Sequence, residues 1–109
     1  MWHWKVERRA RKLNVLAARY RVEARGIAVL VETMKRRDEA QVLTDEAIAL
    51  ANTALVELRE GADDAEIAWS GQDATAMARA VSRIRGARRL LERAEAAPPR
   101  GAAASVPRG

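Results

Sequence analysis

The sequence predicts an all-α chain: a three-helix bundle, or a long antiparallel helical hairpin, that completes its core by self-association. Three observations carry this expectation. No proline occurs before Pro98, and Gly26 is the only glycine in the first 60 residues, so little interrupts helix over most of the chain. Apolar residues recur at three- and four-residue steps in three successive stretches. Charge is segregated into three blocks. Residues 1–37 hold 11 Lys/Arg against 3 Asp/Glu, residues 38–73 hold 10 Asp/Glu against Arg59, and residues 74–109 hold 8 Arg against 2 Glu. A basic–acidic–basic order suits an up-down-up arrangement in which sequence neighbours are antiparallel and opposite in charge.

The first helix is expected from about Trp4 to Arg36. Its stripe runs through Val6, Leu13, Leu16, Tyr20, Ala24, Ile27, Leu30, Val31 and Met34. Val15, Ala18, Val22 and Val29 widen the apolar surface, which predicts a helix gripped from two sides. Asp38-Glu39-Ala40-Gln41 has the spacing of a capping box, and Thr44-Asp45-Glu46 offers another start signal. Between them the pattern fits either a tight turn or a kink.

The second stripe, Leu43, Ala47, Leu50, Ala51, Ala54, Leu55 and Leu58, is expected to end at Gly61, a residue suited to a left-handed cap. Asp63 to Glu66 would then cap a short helical turn through Ile67 and Trp69. Ser70-Gly71-Gln72-Asp73 again has capping-box spacing. It precedes the third stripe of Met77, Ala80, Val81, Ile84, Ala87 and Leu91, with Arg79, Arg83, Arg89 and Arg93 on the opposite side. Beyond it Pro98, Pro99 and a run of Ala, Gly and Ser suit neither helix nor core. The chain therefore divides into a helical domain, 1–96, and a disordered tail, 97–109.

Composition narrows the function. Ala (24 residues) and Arg (17) dominate, while Lys occurs three times, a bias that a high-GC bacterial genome favours. There is no Cys, so disulfides, thiolate nucleophiles and Cys-based metal sites are excluded. The four aromatics are Trp2, Trp4, Tyr20 and Trp69. No apolar run approaches the roughly 20 residues of a membrane span. The start, Trp2-His3-Trp4-Lys5, lacks the apolar stretch of a secretory signal, so a cytoplasmic location is expected.

No constellation for catalysis emerges. His3 is the sole histidine and lies at a terminus, where packing does not fix a general base. One histidine also excludes paired Glu-x-x-His di-iron sites. Asp63, Asp64 and Glu66 lack the alternation of a calcium loop and are accounted for by a helix start. Without a Gly-rich phosphate loop either, the expectation is a non-enzyme with no cofactor and no metal.

Two kinds of surface remain. Leu13, Leu16, Tyr20, Ile27 and Leu30 are candidates for a protein interface or seam, with Trp2 and Trp4 as anchors, since Trp dominates contact hot spots. Lys5, Arg9, Lys12 and Arg19 share one side of the first helix and are the nucleic-acid candidates. Neither a helix-turn-helix pattern nor an aromatic stacking platform accompanies them. We therefore expect a helical protein–protein interaction module that binds a protein partner or itself. A basic, antitoxin-like nucleic-acid regulator is the alternative.

Trp69-Ser70-Gly71, with Gln72-Asp73-Ala74-Thr75-Ala76-Met77-Ala78 after it, resembles the Trp-x-Gly junction of the WXG100 family. That resemblance implies a secreted helical hairpin. This chain departs from the family in three respects. The motif lies well past mid-chain, the family's C-terminal Tyr-x-x-x-Asp/Glu signal is absent, and the pI is near 10.7.

Overall fold

A computed structural model describes residues 2–99 and 101 of the chain, with side chains from residue 5 onward. It is an all-α three-helix bundle: α1 (Trp2–Glu39), α2 (Asp45–Ser70) and α3 (Ala74–Ala96), running up, down and up. Among the described residues no helix is long and apolar enough to cross a membrane. Ala97 closes α3, and Pro98 and Pro99 are exposed and non-helical. The rest of the predicted tail, Gly101 apart, lies outside the described residues.

The segment between the first two helices is a tight turn, not a kink. Asp38-Glu39 does not start a helix; it ends one. Gln41 takes a left-handed φ of 58°, its N–H bonds to the Asp38 carbonyl at 2.9 Å, and the Val42 N–H reaches back to Arg37 at 3.1 Å. These two bonds form a Schellman motif, which satisfies carbonyls that α1 leaves unpaired. The start of α2 is Thr44, whose hydroxyl accepts from the Ala47 N–H at 3.2 Å.

The expected stop at Gly61 is not observed, and α2 continues without a break to Ser70. Gly61 serves packing instead: a Cβ there would lie 2.7 Å from Ile84 Cγ2 on α3. Asp63 to Glu66 accordingly form helix interior and cap nothing. The true end repeats the first turn. Gln72 is left-handed at φ 51°, its N–H bonds to the Trp69 carbonyl, and the Asp73 N–H bonds to Ala68 at 2.9 Å. In both turns glutamine occupies the left-handed position that glycine usually takes. Asp73 then caps α3 by accepting from the Ala76 N–H at 3.1 Å.

The core is built on seven-residue steps. On α3 these are Met77-Ile84-Leu91 and Ala80-Ala87-Ala94, and on α2 they are Ala47-Ala54-Gly61-Ala68; all are buried. A strict seven-residue period holds two helices together only if they supercoil left-handedly. Ala and Gly at every step on α2 let its backbone approach α3 closely. α1 follows the same period with Leu13, Tyr20, Ile27 and Met34, all buried except the half-buried Tyr20. Tyr20 packs against both core clusters, and burial pushes its phenol above its ordinary range.

Charge selects the neighbours differently from the simple expectation. α3 is the central helix, packed along both α2 and α1, whereas α1 and α2 touch only slightly. Between α2 and α3 the opposite signs do meet: Arg83 reaches Glu60 at 2.7 Å and Glu57 and Asp64 at 3.6 Å. The other main packing sets two basic helices together. Glu23 makes that tolerable by bridging Arg88 at 3.0 Å and Arg85 at 3.5 Å. Arg37 adds a 2.8 Å bond to the Glu95 carbonyl.

Candidate functional site

α1 is gripped on one side only, contrary to the two-sided expectation. Leu13, Ala17, Ile27 and Met34 are buried in core clusters shared with α2 and α3. On the opposite side Val15, Val22 and Val29 are 57%, 65% and 67% exposed. They stand seven residues apart, in phase with the buried seam. Ala18 lies exposed among them, and Arg11, Lys12, Arg19 and Arg25 sit three or four positions from one or another of the valines. The result is a narrow apolar strip edged with cations, interrupted by Glu32 and by Glu7, which pairs with Arg11 at 3.9 Å.

Leu13 and Ile27, expected as interface residues, are consumed inside the chain at 1% and 2% exposure. Leu16 and Leu30 are half-buried against the core beside Tyr20. The side chains of Trp2, His3 and Trp4 lie outside the described residues. In the sequence the exposed valines register only as a widening of the stripe. Their exact seven-residue spacing is the signal that distinguishes a second, outward seam.

The nucleic-acid candidates Lys5, Arg9, Lys12 and Arg19 are all exposed. Among the described residues none of the four has an ion-pair partner. Arg19 lines a shallow groove of about 320 Å³ with Leu16, Val81, Ser82, Arg85 and Arg89. The basic ridges of α1 and α3 therefore converge there, although Glu23 neutralises part of the charge beside it. The hydrogen bond from Arg88 and the charges of Arg88 and Arg85 hold the Glu23 carboxyl below its ordinary value, despite desolvation.

The outward side of α2 carries Val56 and Ile67, 51% and 70% exposed. The helix around them holds seven Asp/Glu and only Arg59 of opposite sign. Asp64, one of the acidic residues weighed for a cation, is engaged by Arg83. Among the described residues no group of three or more His, Cys, Asp or Glu is arranged to hold a metal ion.

No protein-family model, curated protein or solved structure matches this chain. Trp69-Ser70-Gly71 does fall at a helix junction, but it joins α2 to α3 in a three-helix chain, where the WXG100 resemblance implied a two-armed hairpin. Trp69 does not seal that junction. It is 45% exposed and edges a groove with Ala17, Tyr20 and Glu66.

Proposed function

We propose that this chain is a cytoplasmic, non-enzymatic helical interaction module that binds a protein partner through the outward face of α1. One observation carries the reading: the valines at 15, 22 and 29 repeat every seven residues and are left exposed by the described residues. A helix that only closed a bundle would turn polar residues outward at these positions. Strict seven-residue spacing presents the side chains to a second helix in left-handed packing, with β-branched residues at one position of each heptad and Ala18, Arg25 and Glu32 at the companion one. Burying each valine fully is worth about 1.5 kcal/mol or more, so three of them already two-fifths screened offer roughly 3 kcal/mol. Association costs at least about 4 kcal/mol, so the flanking arginines must meet opposite charge for binding to be stable.

The test is affinity capture from a native extract with nuclease present, using the wild-type chain and V15S/V22S/V29S. A defined protein, this chain itself included, that is held by the wild type and lost from the variant supports the reading. Equal retention by both removes the α1 face from consideration.

A second reading, a nucleic-acid-associated regulator, is favoured by the convergence of Arg19 with Arg85 and Arg89 across one groove. It requires binding to DNA or RNA that falls steeply with salt, through release of counterions. Binding that survives high salt, or is absent at low salt, dismisses it.

A further inference from the structure

We infer that the outward face of α1 docks on the outward face of α2 of a second copy, so that copies join head to tail. This rests on the interaction-module reading above and names the partner. Both halves of the contact are present on one chain. α1 offers Val15, Val22 and Val29 edged by Arg and Lys. α2 offers Val56 and Ile67 on a helix whose charge is almost wholly acidic. Within the chain Arg83 answers Glu57, Glu60 and Asp64, whereas Asp63 and Glu66 have no ion pair among the described residues.

Charge decides between the possible self-contacts. Pairing α1 with α1 would align the guanidinium groups of Arg11, Arg19 and Arg25 against their own copies. Pairing α2 with α2 would do the same with carboxylates. Only α1 against α2 brings opposite signs together: the cations of α1 would meet Asp63 and Glu66, while Glu57, Glu60 and Asp64 are already held by Arg83. The two sets have comparable spans, about 21 Å from Val15 to Val29 and about 16 Å from Val56 to Ile67 along their helices. The two apolar sets lie on different helices, and Ile67 also borders a groove with Ala76, Arg79, Ser82 and Arg83 of α3. A contact of this kind is heterologous, so each copy retains one unused face of each type and association continues from copy to copy.

Complementary half-interfaces test this directly. The α1-face variant V15S/V22S/V29S and the α2-face variant V56S/I67S change only exposed side chains, and circular dichroism and melting confirm that each is folded. Sedimentation equilibrium is then run on the wild type, on each variant and on their equimolar mixture. The expected wild-type mass rises with concentration past that of a dimer and falls as salt is added. Each variant alone stays at the 12.0 kDa of one chain. Their mixture forms a species of twice that mass and nothing larger, because each supplies the face the other lacks. Association of either variant alone, or no association in the mixture, overturns the inference. So does a wild-type chain that stays monomeric at high concentration. If that monomeric chain still captures a foreign protein through Val15, Val22 and Val29, the interaction-module reading survives and only the self-docking falls.

Discussion

Changing one glycine to alanine should have opposite effects at two places in this bundle. Both Gly26 and Gly61 lie inside helices, where alanine is favoured by about 0.5–1 kcal/mol when the new methyl meets nothing. At Gly26 a Cβ finds no atom within 4 Å. Gly26→Ala is therefore expected to stabilise by nearly the full amount, and each kcal/mol raises Tm by about 4–8 °C in a chain of this size. At Gly61 the same methyl lands 2.7 Å from Ile84 Cγ2. Ile84 is 1% exposed, and its branch at Cβ leaves little rotamer freedom, so either the side chain is forced off its minimum or the helices separate. Overpacking of this kind costs about 1–3 kcal/mol. Subtracting the helix preference leaves Gly61→Ala destabilising by roughly 0–2 kcal/mol. Far-ultraviolet circular dichroism, with urea and thermal melts, measures both variants. Ile84→Leu sharpens the result, because it moves the branch away from Cβ at nearly constant volume. In that background Gly61→Ala should become neutral or stabilising, a coupling of about 1–3 kcal/mol between the two positions. A Gly61→Ala chain as stable as Gly26→Ala, or a cycle without coupling, would refute the close-approach argument.

Removing the α3 cap with Asp73→Ala deletes the acceptor of the Ala76 N–H and should cost about 0.5–2 kcal/mol in urea melts, most of it restored by Asp73→Ser. Gln41→Gly relieves a left-handed φ of 58° and should raise the urea midpoint by the equivalent of about 0.5 kcal/mol, the strain removed exceeding the added chain entropy. Glu23→Gln should lower stability at neutral pH. The folded carboxyl titrates below its ordinary 4.5, so its contribution is complete above that value and disappears as pH falls through the lowered one. Urea melts of wild type and variant across the acid range should therefore converge, and a difference that persists at the lowest pH would show that the bridge to Arg88 and Arg85 is not its source.

Legibility in the sequence varied with how local each determinant was. The third stripe was fully readable: Met77, Ala80, Val81, Ile84, Ala87 and Leu91 are all buried. An amphipathic helix on one side of a core repeats its burial in its own sequence. Thr44 was readable because a cap is a contact between residues three apart. Gly61 was misread because the reason for it lies on another helix, in Ile84, and a glycine chosen for close approach looks the same as one chosen for a left-handed turn. The left-handed positions went instead to Gln41 and Gln72, which carry no such mark. Which helix α1 would lie against was also hidden. Bulk charge favoured α2, whereas Glu23, one acid among many bases, supplies the specific bridge to α3. For the candidate surface, the valines were visible but their exposure was not, since a second stripe reads alike whether it is covered or bare.

The central position of α3 has a consequence for the order in which the chain acquires its structure. α3 is the common neighbour of α1 and α2, yet it is the last of the three helices to be synthesised. Until residues beyond Ala74 emerge, the seam of α1 has only its slight contact with α2 to rest on. α2 and α3, joined by the turn at Gly71-Gln72-Asp73, close over a short span, whereas the bridge from Arg88 to Glu23 joins residues 65 positions apart. Closing the longer loop costs more entropy, and local contacts form sooner. The α2–α3 hairpin is thus expected to form first, with α1, although made first, docking after it.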